Sequence, residues 1–511
     1  MGLCEKNLAK ARVINIVPKH LTDDRYFIMI ILSTEELTTE RLINRRENVM
    51  FVGRYSELSE LERRWQGGQF EFGVVYGTRR IGKTTLLQEF VRGKNAFYFQ
   101  ARKADEKDNL TAFSREFRKN RGLDVHLQYD SFDSAFDSIA EYASQQRMIL
   151  VIDEIAYLCT KNKALLSLLQ FYLDGPFKRA GLMVILSGSN VSFMEEILNN
   201  RNDPLYQRAT FQIRLEKMPF SEARTFVREH PMEEQIDYLA LFGPHPYYLG
   251  MIDHTSSFSE NLERLLYSKY GALTDAPEKV MPVGISDENM YNSILQAVAK
   301  GKRFSKHIAE AIGVESNYAA KYLASLLNMQ ILERRESFIK NKKTNYYAVA
   351  DRLLQFWYRF IFDQRDVILN GMGNILLRED QEGIRDFIAR GFDSVAQLWL
   401  DEQNRKGKLP VFYHPVRNYV VDNSRLGRSV ELDGLAEGLG SQKDHLLAVE
   451  CKYRETPFNL KMLRHFQEGV SLFDQYAVTD YYLISRNGFS EDVLKIQDEH
   501  IHLITVQDMF S

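Results

Sequence analysis

The chain has 511 residues, with 66 Lys and Arg against 69 Asp and Glu and a formal charge of −3. At about 150 residues per domain that length predicts roughly three domains, and the balanced charge excludes a globally basic nucleic-acid coat and an acidic solvating chain, so any basic surface has to be local. A 44% hydrophobic fraction supplies a core, and Cys4, Cys159 and Cys451 are too scattered for a disulfide framework or a metal knuckle, which predicts a reducing, cytoplasmic setting.

Ahead of Met50 the longest apolar run is Tyr26 to Leu32, YFIMIIL. Seven residues fall short of the roughly twenty that span a bilayer, and no small-residue cleavage site follows, so no membrane partner is predicted. Residues 1–49 read as an extension containing a buried strand, or as a segment ahead of a natural start at Met50. Both readings stand.

The next stretch is FGVVYGTRRIGKTTLLQEF. Phe72 to Tyr76 is a short apolar run expected to be a buried strand. Gly77-Thr78-Arg79-Arg80-Ile81-Gly82-Lys83-Thr84 then fits GxxxxGK[ST], with Thr85 and LLQEFV continuing as a helix. Glycines let backbone N–H groups turn towards phosphates, and the helix N-terminus adds a favourable partial charge. Lys83 is placed to reach the β- and γ-phosphates, and the Thr84 hydroxyl to ligate Mg²⁺. Met148 to Ile152 is a second buried strand ending in Asp153-Glu154. Asp153 suits the Mg²⁺ shell, directly or through water, and Glu154 suits polarising the attacking water. A third strand, Leu182 to Leu186, ends in Ser187-Gly-Ser189-Asn190. Small polar residues there are either γ-phosphate sensors between the two motifs or ordinary turn formers. Strands alternating with amphipathic helices predict a parallel sheet covered on both faces, with phosphates beyond the strands' carboxyl ends.

FVGRYSELSELERRW, the P-loop, VIDE and LSGSNVSFMEEIL together resemble the archaeal-type ATPases of the AAA+/STAND branch of P-loop NTPases. The resemblance runs from Met50 through the rest of the chain. It implies ATP as the nucleotide, an FVGR segment packed near the adenine, and a helical lid over residues 211–284 following a core at 50–210. It also implies an arginine in Asp203-Pro-Leu-Tyr-Gln-Arg208 that contacts the γ-phosphate in cis or across an oligomer, making Arg208 the finger. The lid segment reads Gly243-Pro-His-Pro246-Tyr-Tyr-Leu249, with Pro244 where the family has a second glycine.

From 285 to 350, helical periodicity predicts helices at Tyr291–Ala299, Phe304–Ile312 and Asn317–Asn328, followed by a hairpin wing. This is winged-helix grammar. Asn317, Lys321 and Tyr322 fall where groove contacts would be made. Ten Lys and Arg against six Asp and Glu suit phosphate contacts, or equally a solvated face of a packing module.

In the last segment, 351–511, an aromatic-rich helical stretch precedes two strands, VELDGLAE and HLLAVECKYR. Alternation places Glu431 and Asp433 on one face, and Glu450 and Lys452 on one face. A hairpin can thus bring Asp433, Glu450 and Lys452 together: two carboxylates for a Mg²⁺ or Mn²⁺ and a lysine to position or deprotonate water. The pattern resembles the PD-(D/E)xK nuclease fold, with Asp393 on the preceding helix where that family more often has glutamate.

The expected fold is therefore α/β: a P-loop NTPase parallel sheet with a helical lid, then a winged helix and a small α/β nuclease-like domain. The expected function is ATP binding and hydrolysis as a switch coupled to a DNA-binding or nuclease-like C-terminal region. The alternative is a regulatory or signalling ATPase whose winged helix binds DNA or protein and whose nuclease-like domain is inactive.

Overall fold

Continuous apolar runs mark strands buried on both faces, and the first sheet is built from them. The computed structural model describes residues 51–159, 163–276, 287–336, 345–423 and 428–511; the expectations for residues 1–49 and for Met50 lie outside these. Strands β1 (Glu71–Tyr76), β2 (Ala96–Gln100), β3 (Ile149–Asp153), β4 (Met183–Gly188) and β5 (Phe211–Arg214) are all parallel, in the order β2–β3–β4–β1–β5. β3 and β4 are buried at every position. One face packs Phe97, Phe99, Phe113, Phe132 and Phe136 with the helices Glu106–Asn120 and Phe132–Gln145. Phe113 meets Phe97 and Phe99 edge-on at 5.0 Å, the favourable geometry for aromatic quadrupoles. The other face packs Leu61, Leu86, Leu87 and Phe90, from helices Tyr55–Gln66 and Lys83–Val91, against Val75, Val151 and Ile185. The two-sided parallel sheet is as expected. Its strand order adds what the sequence did not state: β4 lies between β1 and β3, so the three loops at their carboxyl ends are neighbours.

After β5 come short helices, among them Met232–Phe242, Pro246–Leu249 and Phe258–Leu266. Three further helices follow, Glu288–Ala299, Ser305–Ile312 and Ser316–Asn328, and then an antiparallel pair, β6 (Leu332–Glu336) and β7 (Asn345–Val349). The turn between the second and third helix is made by Gly313 at φ 73°, a left-handed position that glycine takes without strain.

A second sheet closes the chain: β8 (Arg417–Asn423), β9 (Arg428–Glu437), β10 (His445–Lys452), β11 (Val478–Ser485) and β12 (Ile501–Thr505), in the order β12–β11–β10–β9–β8. β8, β9 and β10 pair antiparallel, and β10, β11 and β12 parallel. Helix Leu460–Val470 covers one face. The long helix Gln381–Arg405 lies on the other. It crosses helix Met232–Phe242 where a Cβ on Gly391 would stand 2.6 Å from the Ala240 carbonyl oxygen, an approach only glycine allows. One buried cluster runs from Met218 to Met509 through all of these segments, and residues 51–511 form one compact unit. Among the described residues no helix is long and apolar enough to cross a membrane.

Candidate functional site

β1 delivers the P-loop at the carboxyl edge of the first sheet. Gly82 sits at φ 97° and opens helix Lys83–Val91, while a Cβ on Gly77 would stand 2.6 Å from the Leu215 carbonyl oxygen. Lys83 is buried, and its ammonium donates to the carbonyl oxygens of Gly77 and Thr78, each at 2.9 Å. Burial lowers its pKa, as expected for a cation held out of water. Ile81 is buried and Thr85 exposed. Arg79 approaches the Tyr157 hydroxyl at 3.5 Å.

The two motifs meet at Asp153, which is fully buried. Thr84 Oγ1 donates to Asp153 Oδ2 at 2.8 Å, the Tyr98 hydroxyl donates to the same oxygen at 2.7 Å, and the backbone N–H of Glu154 donates to Oδ1 at 3.0 Å. Burial and the Asp153 charge push the Tyr98 phenol well up, so it stays a donor. All three donors are neutral, and among the described residues Asp153 forms no ion pair. A buried carboxylate with neutral donors alone is an electrostatic cost unless a cation completes it. The donor set, hydroxyl plus carboxylate at the mouth of the P-loop, thus fits Mg²⁺. Tyr98 carried no signal in the sequence; it arrives because β2 runs beside β3.

Glu154 adopts φ 55°, and its carboxylate accepts from Ser189 twice, at 3.1 Å from N–H and 2.8 Å from Oγ. The β4 loop therefore lies between the motifs, as the sequence suggested, and its three candidates separate. Ser189 holds Glu154, Asn190 caps helix Val191–Asn199 by accepting from the Phe193 N–H at 3.1 Å, and Ser187 is buried in the strand.

The FVGR arginine and the lid segment close around the loop. Arg54 is buried and donates to the carbonyl oxygens of Ile81 at 3.0 Å and Glu216 at 2.6 Å. Pro246 packs on the loop, 3.3 Å from where a Cβ on Gly82 would be. Arg80 turns to the lid: Nη1 donates to the Tyr248 hydroxyl at 2.8 Å, which donates to Asp351 Oδ2 at 2.6 Å, and the guanidinium lies 5.1 Å from the Tyr247 ring centroid. Arg208 lies elsewhere: it pairs with Asp174 at 3.0 Å and donates to the carbonyl oxygens of Pro204 and Tyr206. None of these bonds reaches the P-loop.

A second constellation forms on the C-terminal sheet. Leu432 and Leu435 face the same core layer although three residues apart, and the β8–β9 register shifts between Arg417 and Tyr419. This marks a bulge at Asp433-Gly434, a device that re-aims a side chain. Asp433 Oδ2 accepts from the backbone N–H of Cys451 at 2.8 Å, the residue between Glu450 and Lys452. Lys452 bonds Glu450 and donates to the Cys451 carbonyl oxygen at 3.1 Å. Asp393, on the long helix, accepts from Asn418 Nδ2 at 2.7 Å, and the same amide donates to the Asp433 carbonyl oxygen at 3.0 Å. Burial, then Glu450 and Asp393, push the Asp433 carboxyl well up. Burial likewise raises Glu450. Lys452 is raised because Glu450 and Asp433 outweigh the burial that opposes its charge. The structure thus brings Asp393, Asp433, Glu450 and Lys452 together. Among the described residues no group of three His, Cys, Asp or Glu is arranged to hold a metal ion.

The helix-and-hairpin segment reaches this pocket, which the sequence did not foretell. Arg303 pairs with Glu431 at 2.9 Å, and Arg335 of β6 donates to Asn418 Oδ1 at 3.0 Å. Tyr322 is not on a groove-facing surface: it is buried and donates to Asp287 Oδ2 at 2.6 Å. Asn317 and Lys321 are exposed.

Residues 51–252 match a family model described as an ATPase domain predominantly from Archaea. Residues 357–464 match a second model, described as archaeal and bacterial proteins of unknown function. An uncharacterized protein of Methanocaldococcus jannaschii is 27% identical over 411 residues, 80% of this chain and 88% of its own. An uncharacterized ATP-binding protein of the same organism is 46% identical over 46 residues, 9% of this chain and 78% of its own. Among solved structures the chain is similar to the Walker-type ATPase of Pyrococcus abyssi, at 19% identity and TM-score 0.46, covering 61% of this chain and 97% of that one. The first match covers the five-stranded parallel sheet and its P-loop, and the second spans the long helix together with Asp433, Glu450 and Lys452.

Proposed function

We propose that the protein binds and hydrolyses ATP with Mg²⁺, and that this switch is coupled to a DNA-binding or nuclease-like C-terminal region. The ATPase reading is carried by the Glu154 carboxylate, held by Ser189 beside Asp153 at the same sheet edge as the P-loop. Backbone N–H groups of residues 77–85 take phosphate oxygens, helped by the N-terminus of the helix that starts at Lys83. Lys83 exchanges its two carbonyl partners for the β- and γ-phosphates. Mg²⁺ neutralises phosphate charge when bound. Thr84 keeps its proton on Asp153 and turns a lone pair outward, since a hydroxyl has one donor and two acceptor sites. Glu154 accepts the proton of the attacking water. Arg208 serves as the γ-phosphate finger by leaving Asp174, in the same chain or across an oligomer. A Glu154→Gln variant should bind ATP as the wild type does and lose turnover by about 10²- to 10⁴-fold; unchanged hydrolysis would refute the base assignment.

In the C-terminal region, residues 285–350 act as a winged helix, with exposed Asn317 and Lys321 as its DNA contacts. Asp433 and Glu450 would hold a Mg²⁺ or Mn²⁺, which would supply Lewis-acid polarisation of a phosphodiester, and Lys452 would position the water. A specific observation favours the rival, a regulatory ATPase with an inert pocket: Lys452 is tied to Glu450, and the described residues hold no three-ligand group. Incubating single- and double-stranded DNA with the full chain, Mg²⁺ or Mn²⁺, with and without ATP, separates them. Cleavage that disappears in Asp433→Ala supports the nuclease; no cleavage alongside intact ATP hydrolysis selects the rival.

A further inference from the structure

We propose that Tyr98 is a positioning residue for Mg²⁺ at the nucleotide site, fixing the orientation of the Asp153 carboxylate; this rests on reading Thr84 and Asp153 as the metal-holding pair. β2 pairs with β3 in parallel register, Tyr98 opposite Val151 and Gln100 opposite Asp153. From there the phenol reaches forward to Asp153 Oδ2 at 2.7 Å, the oxygen that Thr84 also bonds. An aspartate carboxylate turns on a broad terminal torsion. In Asp153 that torsion is set by three bonds: Glu154 N–H on Oδ1, and Thr84 and Tyr98 on Oδ2. With Thr84 read as shared between the carboxylate and the cation, Tyr98 is, among the described residues, the one side chain bonded to Asp153 that would not also hold the metal.

The residue type supports the role. Its neighbours are Phe97 and Phe99, both buried in the core of one sheet face, and Tyr98 packs against the opposite layer. A phenylalanine ring would fill that space equally well, so the hydroxyl, not the ring, is what distinguishes position 98. It is also a neutral donor. A lysine or arginine in its place would orient the carboxylate but repel the cation.

Outer-shell partners of metal ligands are worth about 10- to 100-fold in metal affinity or activity. The test is Tyr98→Phe in the full chain, read by electron paramagnetic titration of Mn²⁺ in the presence of ATP, and by binding of a fluorescent ATP analogue in EDTA. The variant should bind Mn²⁺ about 10- to 100-fold more weakly, with metal-free nucleotide affinity within about twofold of wild type. The Mg²⁺ concentration for half-maximal hydrolysis should rise in step. In an Asp153→Asn background, Tyr98→Phe should produce no further loss. Unchanged Mn²⁺ affinity in the variant overturns the proposal, as does an equal fall in metal-free nucleotide binding, which a packing role alone would give. Failure of the wild type to bind Mn²⁺ in an ATP-dependent way would overturn the Mg–ATP reading itself, and is seen without any variant.

Discussion

Asp237 is a carboxylate on helix Met232–Phe242 that sits against the C-terminal domain. The Tyr453 hydroxyl donates to its Oδ1 at 2.7 Å and lies 3.2 Å from the Glu233 carbonyl oxygen, with the Arg486 guanidinium 4.8 Å from the Tyr453 ring centroid. Burial pushes the Asp237 carboxyl up to about 6, against the Tyr453 bond and Arg486, which pull it down. Because its folded value lies above the unfolded one, near 3.9, the folded state binds the proton more tightly. The group's contribution to stability is therefore complete below pH 4 and is lost as pH rises through 6. At 1.36 kcal/mol for each tenfold change in proton affinity, the loss is at most about 3 kcal/mol. Asp237→Asn keeps an acceptor for Tyr453 and removes the titration. Urea unfolding at pH 4.5, 5.5 and 7 should show wild-type stability falling relative to this variant across the range. Parallel pH profiles for the two proteins would mean that Asp237 is solvated in the folded state.

The elements differ in how far they could be read, and the difference is one of range. Strands β1, β3 and β4 were legible because burial on both faces leaves an uninterrupted apolar run. The P-loop was legible because its glycines, lysine and threonine are contiguous. The three helices between 288 and 328 were legible because Gly313 and the spacing of Ile294, Leu295 and Val298, or of Ala319, Leu323 and Leu326, are local signals. That same spacing puts Tyr322 on the buried face, three residues after Ala319 and four before Leu326. Periodicity was therefore the better guide to Tyr322 than its position along a supposed recognition helix. The bulge at Asp433-Gly434 shifts the alternation by one residue, so simple two-residue counting along VELDGLAE does not carry through from Leu432 to Leu435. What no local pattern contains are bonds between distant segments: Tyr98 to Asp153 across adjacent strands, Arg80 to Tyr248, Arg335 to Asn418. These depend on which strand lies beside which and on how the lid returns to the loop.

At the scale of the molecule, a side-chain chain leads from the P-loop towards the carboxylate pocket. Arg80 donates to the Tyr248 hydroxyl, Tyr248 donates to Asp351, and Asp351 caps helix Arg352–Phe356 through Oδ1 and the Leu354 N–H at 3.2 Å. The next residue, Arg352, donates to the carbonyl oxygens of Ala240 at 2.9 Å and Phe387 at 3.0 Å, joining the lid helix to the long helix that carries Asp393. Coupling between sites requires an element whose state both sites bias, and the Tyr248 hydroxyl is the narrowest point of this path. Tyr248→Phe keeps the buried ring and removes the bond to Asp351 and the acceptor for Arg80. Leaving those groups unpaired should cost about 1–3 kcal/mol, read as a lower urea midpoint. ATP affinity should change little, because Tyr248 binds the Arg80 side chain and no backbone N–H of the loop. Hydrogen exchange over residues 381–405 then supplies the decisive measurement. In the wild type, ATP should alter protection of the long helix; in Tyr248→Phe the ATP-dependent change should be lost while its protection without nucleotide is retained. An ATP response of equal size in both proteins would place the coupling on another path, such as Arg54 with its bonds to the Ile81 and Glu216 carbonyls.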